Sequence, residues 1–284
     1  MVELKGHRLG ANLVGDKMLL AACVSGGGHL LIDTLKEIDI ASGAKSNLEE
    51  SGALYFGVSE KEAIIKRIKI PQAVNLDPEK LAMFEFLASL PGREENYYLE
   101  IYNQNGFSEY LAVAYQRELI QRRIVEFEDY LFPPSGFRLR SLAMGSAFVH
   151  YCRPMGGDLI CLLDLSGEDI TFCILNCGHP VATGHLANDY IRLEKEIFDT
   201  RRFLSDLTAI LQFHVSLLFN SGHSVPLSLL VLSGTEAGSD LAGIIGDRLK
   251  IKAAIPEFRP ELFVNDLIPS AHRYFINLGL TAGF

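Results

Sequence analysis

The chain has 284 residues, 48% of them hydrophobic and 21% charged, an ordinary globular balance that excludes a disordered protein. Its formal net charge of -9 leaves no basic field to neutralise phosphates, which excludes nucleic acid as the expected partner. No apolar run approaches the ~20 residues that a membrane-spanning helix needs, and Met1 to Gly10 lacks the apolar stretch of a signal peptide, so a cytosolic chain with no membrane span is expected.

Three short strands open the sequence: Leu9 to Val14, Met18 to Val24 and Leu30 to Ile38. Gly15-Asp16-Lys17 and Ser25-Gly26-Gly27-Gly28 break them, since glycine supplies the positive φ of tight hairpin turns. The glycine run reads as a loop, because it lacks the strand-to-helix setting of a phosphate loop. Next, Leu54 to Val58 and Ala63 to Ile70 look like strands, the second stopped by Pro71. Asp77 is placed as an N-cap with Pro78 at the first helical position, opening a helix through Leu90. Tyr97 to Tyr102 and Glu109 to Tyr115 flank the turn signal Asn103-Gln104-Asn105-Gly106, and Ile120, Ile124, Phe127 and Leu131 then recur at helical spacing until Pro133-Pro134. This ββαββα order predicts a small α+β unit over residues 53–135, inserted between a first meander at 1–52 and the remainder at 136–284.

Phe137 to Leu142 reads as a strand and Gly145 to Cys152 as a short helix. A second meander follows in Leu159 to Leu163, Ile170 to Leu175 and Val181 to Thr183, apolar nearly throughout, as in strands covered on both faces. Two similar meanders suggest a duplicated core. Tyr190, Leu193, Ile197, Leu204, Leu207, Leu211 and Leu218 mark one face of a long helix, on which His214 is read as a packing residue. A buried strand from Leu227 to Leu232 leads into Ser233-Gly234-Thr235-Glu236, a helix from Asp240 to Leu249, and a last helix from Ser270 to Thr281. The layers are α/β. Five cysteines, an odd number scattered through apolar strands, suit reduced core thiols, and Cys173, Cys177 and His179 lack the paired second half of a zinc site.

Four stretches, in order, resemble the PilM-type pilus assembly proteins: Ile64 to Pro71 with its following helix, Tyr110 to Ile120, Leu162-Leu163-Asp164-Leu165-Ser166-Gly167, and Phe203 through Gly234. Tyr274 to Leu280 is similar to the C-terminal helix of that family. The resemblance implies an actin-like (ribonuclease H-like) duplicated core with an inserted subdomain. It also implies a cytosolic scaffold beneath the inner membrane that grips the cytoplasmic tail of a PilN-like bitopic membrane protein, beside other pilus platform components. A related module serves type II secretion platforms, and the sequence leaves pilus, secretion and DNA-uptake systems open.

The family's nucleotide cleft can be compared residue by residue. Actin-like proteins hold ATP between two glycine-bearing hairpins, with carboxylates orienting magnesium and its waters. The first hairpin here carries Asn12, Leu13 and Val14 where the family pattern has Asp, an apolar residue and Gly. The second keeps Asp164 but has Ser166 before Gly167, with Glu168 and Asp169 adding negative charge; the adenine side keeps Gly234. Between the second meander and the long helix, His185 to Glu194 is too short for the helical subdomain that walls the family's cleft. Asp164, Ser166, Gly167 and Gly234 are therefore expected to be a vestigial nucleotide cleft, with no catalytic residue, no metal ligand and no ATP or magnesium required. The bland reading of Asp164 is a turn residue, since Asp is common at strand ends. The alternative is a working ATPase or a sugar-kinase relative, motivated by Asp164 and Gly234; sites rather than folds decide between them.

Overall fold

The computed structural model describes residues 7–26, 29–40, 52–71, 77–103, 109–167, 169–187, 191–192, 197–220, 226–264 and 268–282. In chain order, β1 (His7–Val14), β2 (Lys17–Gly26) and β3 (His29–Asp39) form the first meander, turned at Gly15 in the left-handed region at φ 56°. β4 (Gly52–Val58) then lies parallel to β1. The insert comprises β5 (Ala63–Lys69), α1 (Pro78–Ser89), β6 (Tyr97–Asn103), β7 (Glu109–Gln116) and α2 (Arg117–Tyr130). After it come β8 (Gly136–Leu139), α3 (Arg140–Tyr151), and a second meander of β9 (Leu159–Asp164), β10 (Asp169–Asn176) and β11 (His179–Ala187). The short pair β12 (Ile191–Arg192) and β13 (Ile197–Phe198) leads to α4 (Thr200–Asn220), β14 (Leu227–Ser233), α5 (Ser239–Leu249), β15 (Lys252–Ala254), α6 (Ile268–Ala271) and α7 (Phe275–Thr281).

The two large sheets have one topology. The first runs β3-β2-β1-β4-β8 and the second β11-β10-β9-β14-β15, each an antiparallel meander extended by two parallel strands. The duplication expected from the two meanders is therefore complete, down to strand order and direction. Between the sheets lies a core built from α3 and α7, with Ala143, Ala147, Phe275 and Leu278 packed against Ala21, Cys23, Leu162 and Leu175. Gly279 makes the helix crossing possible, since a Cβ there would stand 1.7 Å from the Ala143 carbonyl oxygen. Gly10 does the same for the strand beneath, where a Cβ would stand 2.0 Å from the Asn277 carbonyl oxygen. The Asn277 amide then donates to the carbonyls of Gly10 at 3.1 Å and Leu19 at 2.6 Å, tying α7 to the first meander.

Four expectations need correction. Leu54 to Val58 is a strand of the first sheet and not of the insert, so the insert is βαββα with a three-stranded sheet of order β5-β7-β6. Its helix α1 begins as expected, the Asp77 carboxylate accepting from the Glu79 N–H at 3.1 Å with Pro78 at the first position. Residues 140–142 are the first turn of α3 and not the end of a strand, because Arg140 starts the helix immediately after β8. The long helix starts at Thr200, where the Asp199 carboxylate accepts from the Arg202 N–H at 3.2 Å; Ile197 pairs in a strand, while Tyr190 and Leu193 fall outside the described residues. The last helix is broken by a 3-10 turn at His272–Tyr274.

Candidate functional site

The β1–β2 and β9–β10 turns meet across the gap between the two sheets. Gly167, at φ 73°, sits against the Val14 side chain: a Cβ on Gly167 would come 3.5 Å from the Val14 Cγ1. Beside this contact lies a cavity of about 310 Å³, lined by Leu13, Val14, Gly15, Ile40, Ser59, Lys61, Glu62, Arg123, Glu126, Arg140, Gly167 and Asp169. Of the four residues singled out in the sequence, Gly167 alone lines it.

The other three form a knot behind the cavity. Asp164 is 2% exposed; one carboxylate oxygen accepts from the Ser166 N–H at 3.1 Å and the other from the Ser233 hydroxyl at 3.0 Å. Burial pushes its carboxyl above the usual aspartate range, while the bonds from Ser166 and Ser233 and the nearby Arg140 charge pull the other way. Ser166 Oγ accepts from the Thr235 N–H at 3.0 Å, and the Leu165 N–H donates to the Ser233 carbonyl at 2.8 Å. Gly234, at φ 100°, is required by loop against loop, since a Cβ there would stand 2.5 Å from Ser166 Oγ and 2.7 Å from the Leu165 nitrogen. Its N–H donates to the His272 carbonyl at 2.9 Å.

A phosphate-binding turn works through backbone N–H groups left free for oxygen. Here the N–H groups of Leu165, Ser166, Gly234, Thr235 and Glu236 all have protein acceptors. Two of the cavity's three cations, Lys61 and Arg123, are ion-paired, whereas Arg140 meets only a carbonyl and its Nε has no hydrogen-bond partner among the described residues. Lys61 Nζ lies 2.5 Å from Asp169 Oδ1, Arg123 bonds Glu62 at 2.8 Å and Glu126 at 2.7 Å, and Arg140 donates to the Leu13 carbonyl at 3.2 Å. Asn12, 2% exposed, has an amide oxygen without a hydrogen-bond partner among the described residues, and it carries no charge to orient a cation. The residues present do not fit a magnesium-bound triphosphate, which would have to displace Val14, break these ion pairs and add charge beside Asp169, Glu62 and Glu126.

Glu60 is a buried tie between the lobes that the sequence does not disclose. It is 4% exposed and reaches across the molecule: one carboxylate oxygen accepts from the Ser141 N–H at 2.8 Å, the other from the Thr171 hydroxyl at 3.2 Å. The first bond occupies an orphan donor at the start of α3, whose N-cap residue Leu139 has no side-chain cap, and places negative charge at the positive end of the helix dipole. The second reaches β10 of the other sheet. Burial raises the Glu60 carboxyl above its usual range, against the pull of Ser141 and Arg140. One signal was available: Ser59 and Glu62 form a capping box directly after β4, so that Ser59-Glu60-Lys61-Glu62 marks a fixed turn.

Of the remaining candidates, His214 and Cys173 are packing residues. The His214 ring stands edge-on to Phe172 at 5.1 Å, and burial lowers its pKa. Cys173 is buried whereas Cys177 is exposed at the next turn, and no cluster of three metal-ligating side chains occurs among the described residues. Chemically, the site can hold two lobes in fixed relation.

No protein-family model and no curated protein matches the chain. Among solved structures, it is similar to a PilM-PilN type IV pilus biogenesis complex, at 15% identity and a TM-score of 0.63, over 96% of this chain and 97% of that one. Lower scores relate it to the cytoplasmic domain of EpsL, an inner membrane component of the type II secretion system of Vibrio cholerae (9% identity, TM-score 0.47, 98% of this chain and 96% of that one). A Bacteroides thetaiotaomicron protein with an actin-like ATPase fold scores similarly (12% identity, TM-score 0.49, 96% of this chain and 98% of that one). The first likeness and the duplicated sheet order together establish an actin-like α/β fold along the chain.

Proposed function

We propose that this chain is a docking scaffold of a type IV pilus inner-membrane assembly platform, gripping the cytoplasmic tail of a PilN-like bitopic membrane protein without turning over nucleotide. The observation that carries this reading is the end-to-end likeness to the PilM-PilN complex, in a chain whose two hairpin tips approach at Val14 and Gly167 and whose cleft residues Lys61 and Arg123 are ion-paired. No helix among the described residues is long and apolar enough to cross a membrane; in this reading the partner supplies the link to the inner membrane. Its role is to present a rigid surface, and the cross-lobe bonds of Glu60 and Lys61 keep that surface in one shape.

The experiment has two arms. In the first, the tagged chain is crosslinked and purified from its own cells, and recovery of a bitopic inner-membrane protein bound through its cytoplasmic tail is expected. Recovery of no bitopic protein would refute the scaffold reading, and recovery of a secretion or DNA-uptake component would move it to that system. In the second, the purified chain is titrated with a fluorescent ATP analogue and magnesium; saturable binding with turnover would refute the part concerning nucleotide.

A further inference from the structure

On the outer face of the second sheet, α4 and α5 pack over a shared core that includes Leu204, Leu207, Leu211, Ala242 and Ile245. The two helices leave an open trough of about 770 Å³ between them, floored by Leu204, Ile244 and Leu249. Ile244 is 50% exposed there, a large aliphatic side chain with half its surface in water. Arg201 of α4 and Arg248 of α5 also line the trough, whose lining contains no carboxylate. Among the described residues neither guanidinium has an ion-pair partner, whereas its neighbour Arg202 faces Asp206 at 3.9 Å. In a chain of net charge -9, a trough with an apolar floor and two cations that have no ion-pair partner among the described residues is the inverse of the average surface.

We propose that this trough is a second docking surface, taking an acidic amphipathic segment of a partner protein. Two charges and an apolar strip set the chemistry of the occupant: aliphatic residues at helical spacing against Leu204, Ile244 and Leu249, with carboxylates reaching Arg201 and Arg248. Arginine suits the second role, because its planar fork pairs with a carboxylate through two hydrogen bonds. Thr208 and Gln212 continue the lining along α4, so the lined stretch from Arg201 to Gln212 spans roughly 16 Å, about three turns of a helical ligand. The residues lining the trough are none of those lining the cavity beside Val14 and Gly167, so the two are separate surfaces and the trough stands apart from the function proposed above.

The test uses the full chain and two synthetic peptides, each of roughly three to four helical turns. One carries leucine on one face and glutamate on the other; its counterpart replaces every glutamate with lysine. Fluorescence anisotropy is expected to show saturable binding of the acidic peptide, weakened by added salt, and none of the basic one. The double variant Arg201→Glu/Arg248→Glu should weaken binding at least about tenfold, as should Ile244→Asp. All three positions are exposed or partly exposed, and unchanged circular dichroism checks that the variants fold. No saturable binding of the acidic peptide, or equal binding by wild type and double variant, would overturn the proposal. So would concentration-dependent self-association abolished by the double variant, since the occupant would then be a second copy of this chain.

Discussion

Replacing Glu60 by alanine deletes the acceptor for two buried donors, the Ser141 N–H at 2.8 Å and the Thr171 hydroxyl at 3.2 Å. A hydrogen bond to a charged group contributes about 1.5–3 kcal/mol and a neutral one about 1, and a donor stranded in the interior also loses its water. The first bond is short and lies on the helix dipole, so about 2 kcal/mol is assigned to it and about 1 to the longer one, a loss of about 3 kcal/mol in all. Glutamine keeps an oxygen to accept from the Ser141 N–H, turns its NH2 to the Thr171 hydroxyl, which can accept, and removes the buried charge, so Glu60→Gln should stay within about 1 kcal/mol of wild type. The assay is urea unfolding followed by far-ultraviolet circular dichroism, because the chain has no tryptophan to report by fluorescence. A loss below about 1 kcal/mol for the alanine variant, or glutamine as harmful as alanine, would refute the assignment of the stabilisation to these two bonds.

The same carboxyl sets a pH signature. Its native pKa lies above the ordinary value of 4.5, and that of Asp164 above 3.8, both through burial. A raised native pKa means that the folded protein holds its proton longer, so the associated stability is complete below the unfolded pKa and is lost as pH rises through the native one. Wild type should therefore lose ground against the double variant Glu60→Gln/Asp164→Asn between acid and neutral pH, read as diverging urea midpoints; parallel profiles would contradict it. Asp164→Ala should destabilise the chain by about 1–2 kcal/mol, as it strands the Ser166 N–H while the Ser233 hydroxyl keeps the Leu163 carbonyl at 3.1 Å, measured by thermal or urea unfolding. Lys61→Ala should cost about 1–2 kcal/mol by urea unfolding, since the lysine is half exposed but its loss leaves the buried Asp169 carboxylate without its cation. Gly279→Ala should prevent a stable fold, because no side-chain motion relieves a Cβ 1.7 Å from a backbone oxygen; soluble, cooperatively melting protein would disprove the helix crossing.

Local chemistry was legible where a few neighbouring residues decide the outcome. The Asp77-Pro78 start and the turn at Gly15 stand where the residues put them, because capping and positive φ are properties of one or two positions. Parallel pairing is a different matter. The strand Leu54 to Val58 has the same apolar character whether it joins the insert or lies beside β1, and only the fold decides. The apolar run of Tyr190, Leu193 and Ile197 matches a helical period, yet the cap at Asp199 starts α4 later. β15, three residues long, offers too little pattern to be read at all. Asp164 and Ser166 of the second hairpin lie against Ser233 and Gly234 at the end of β14, and glycine and serine at loop crossings are visible in the sequence. What the sequence hid was Glu60 and the Lys61–Asp169 pair, whose partners lie on separate elements 81, 111 and 108 positions away. Charges that far apart in the chain carry no local signature of meeting.

The Asn277 side chain bonds to Gly10, 267 residues earlier, and that span governs the order of assembly. As the polypeptide leaves the ribosome, the first meander must wait, one apolar face uncovered, until the final helix is synthesised and can slot between the sheets. Synthesis of this chain therefore carries a long interval of vulnerability to aggregation, and a stop codon anywhere before residue 275 would spoil the earliest-made lobe as surely as the last.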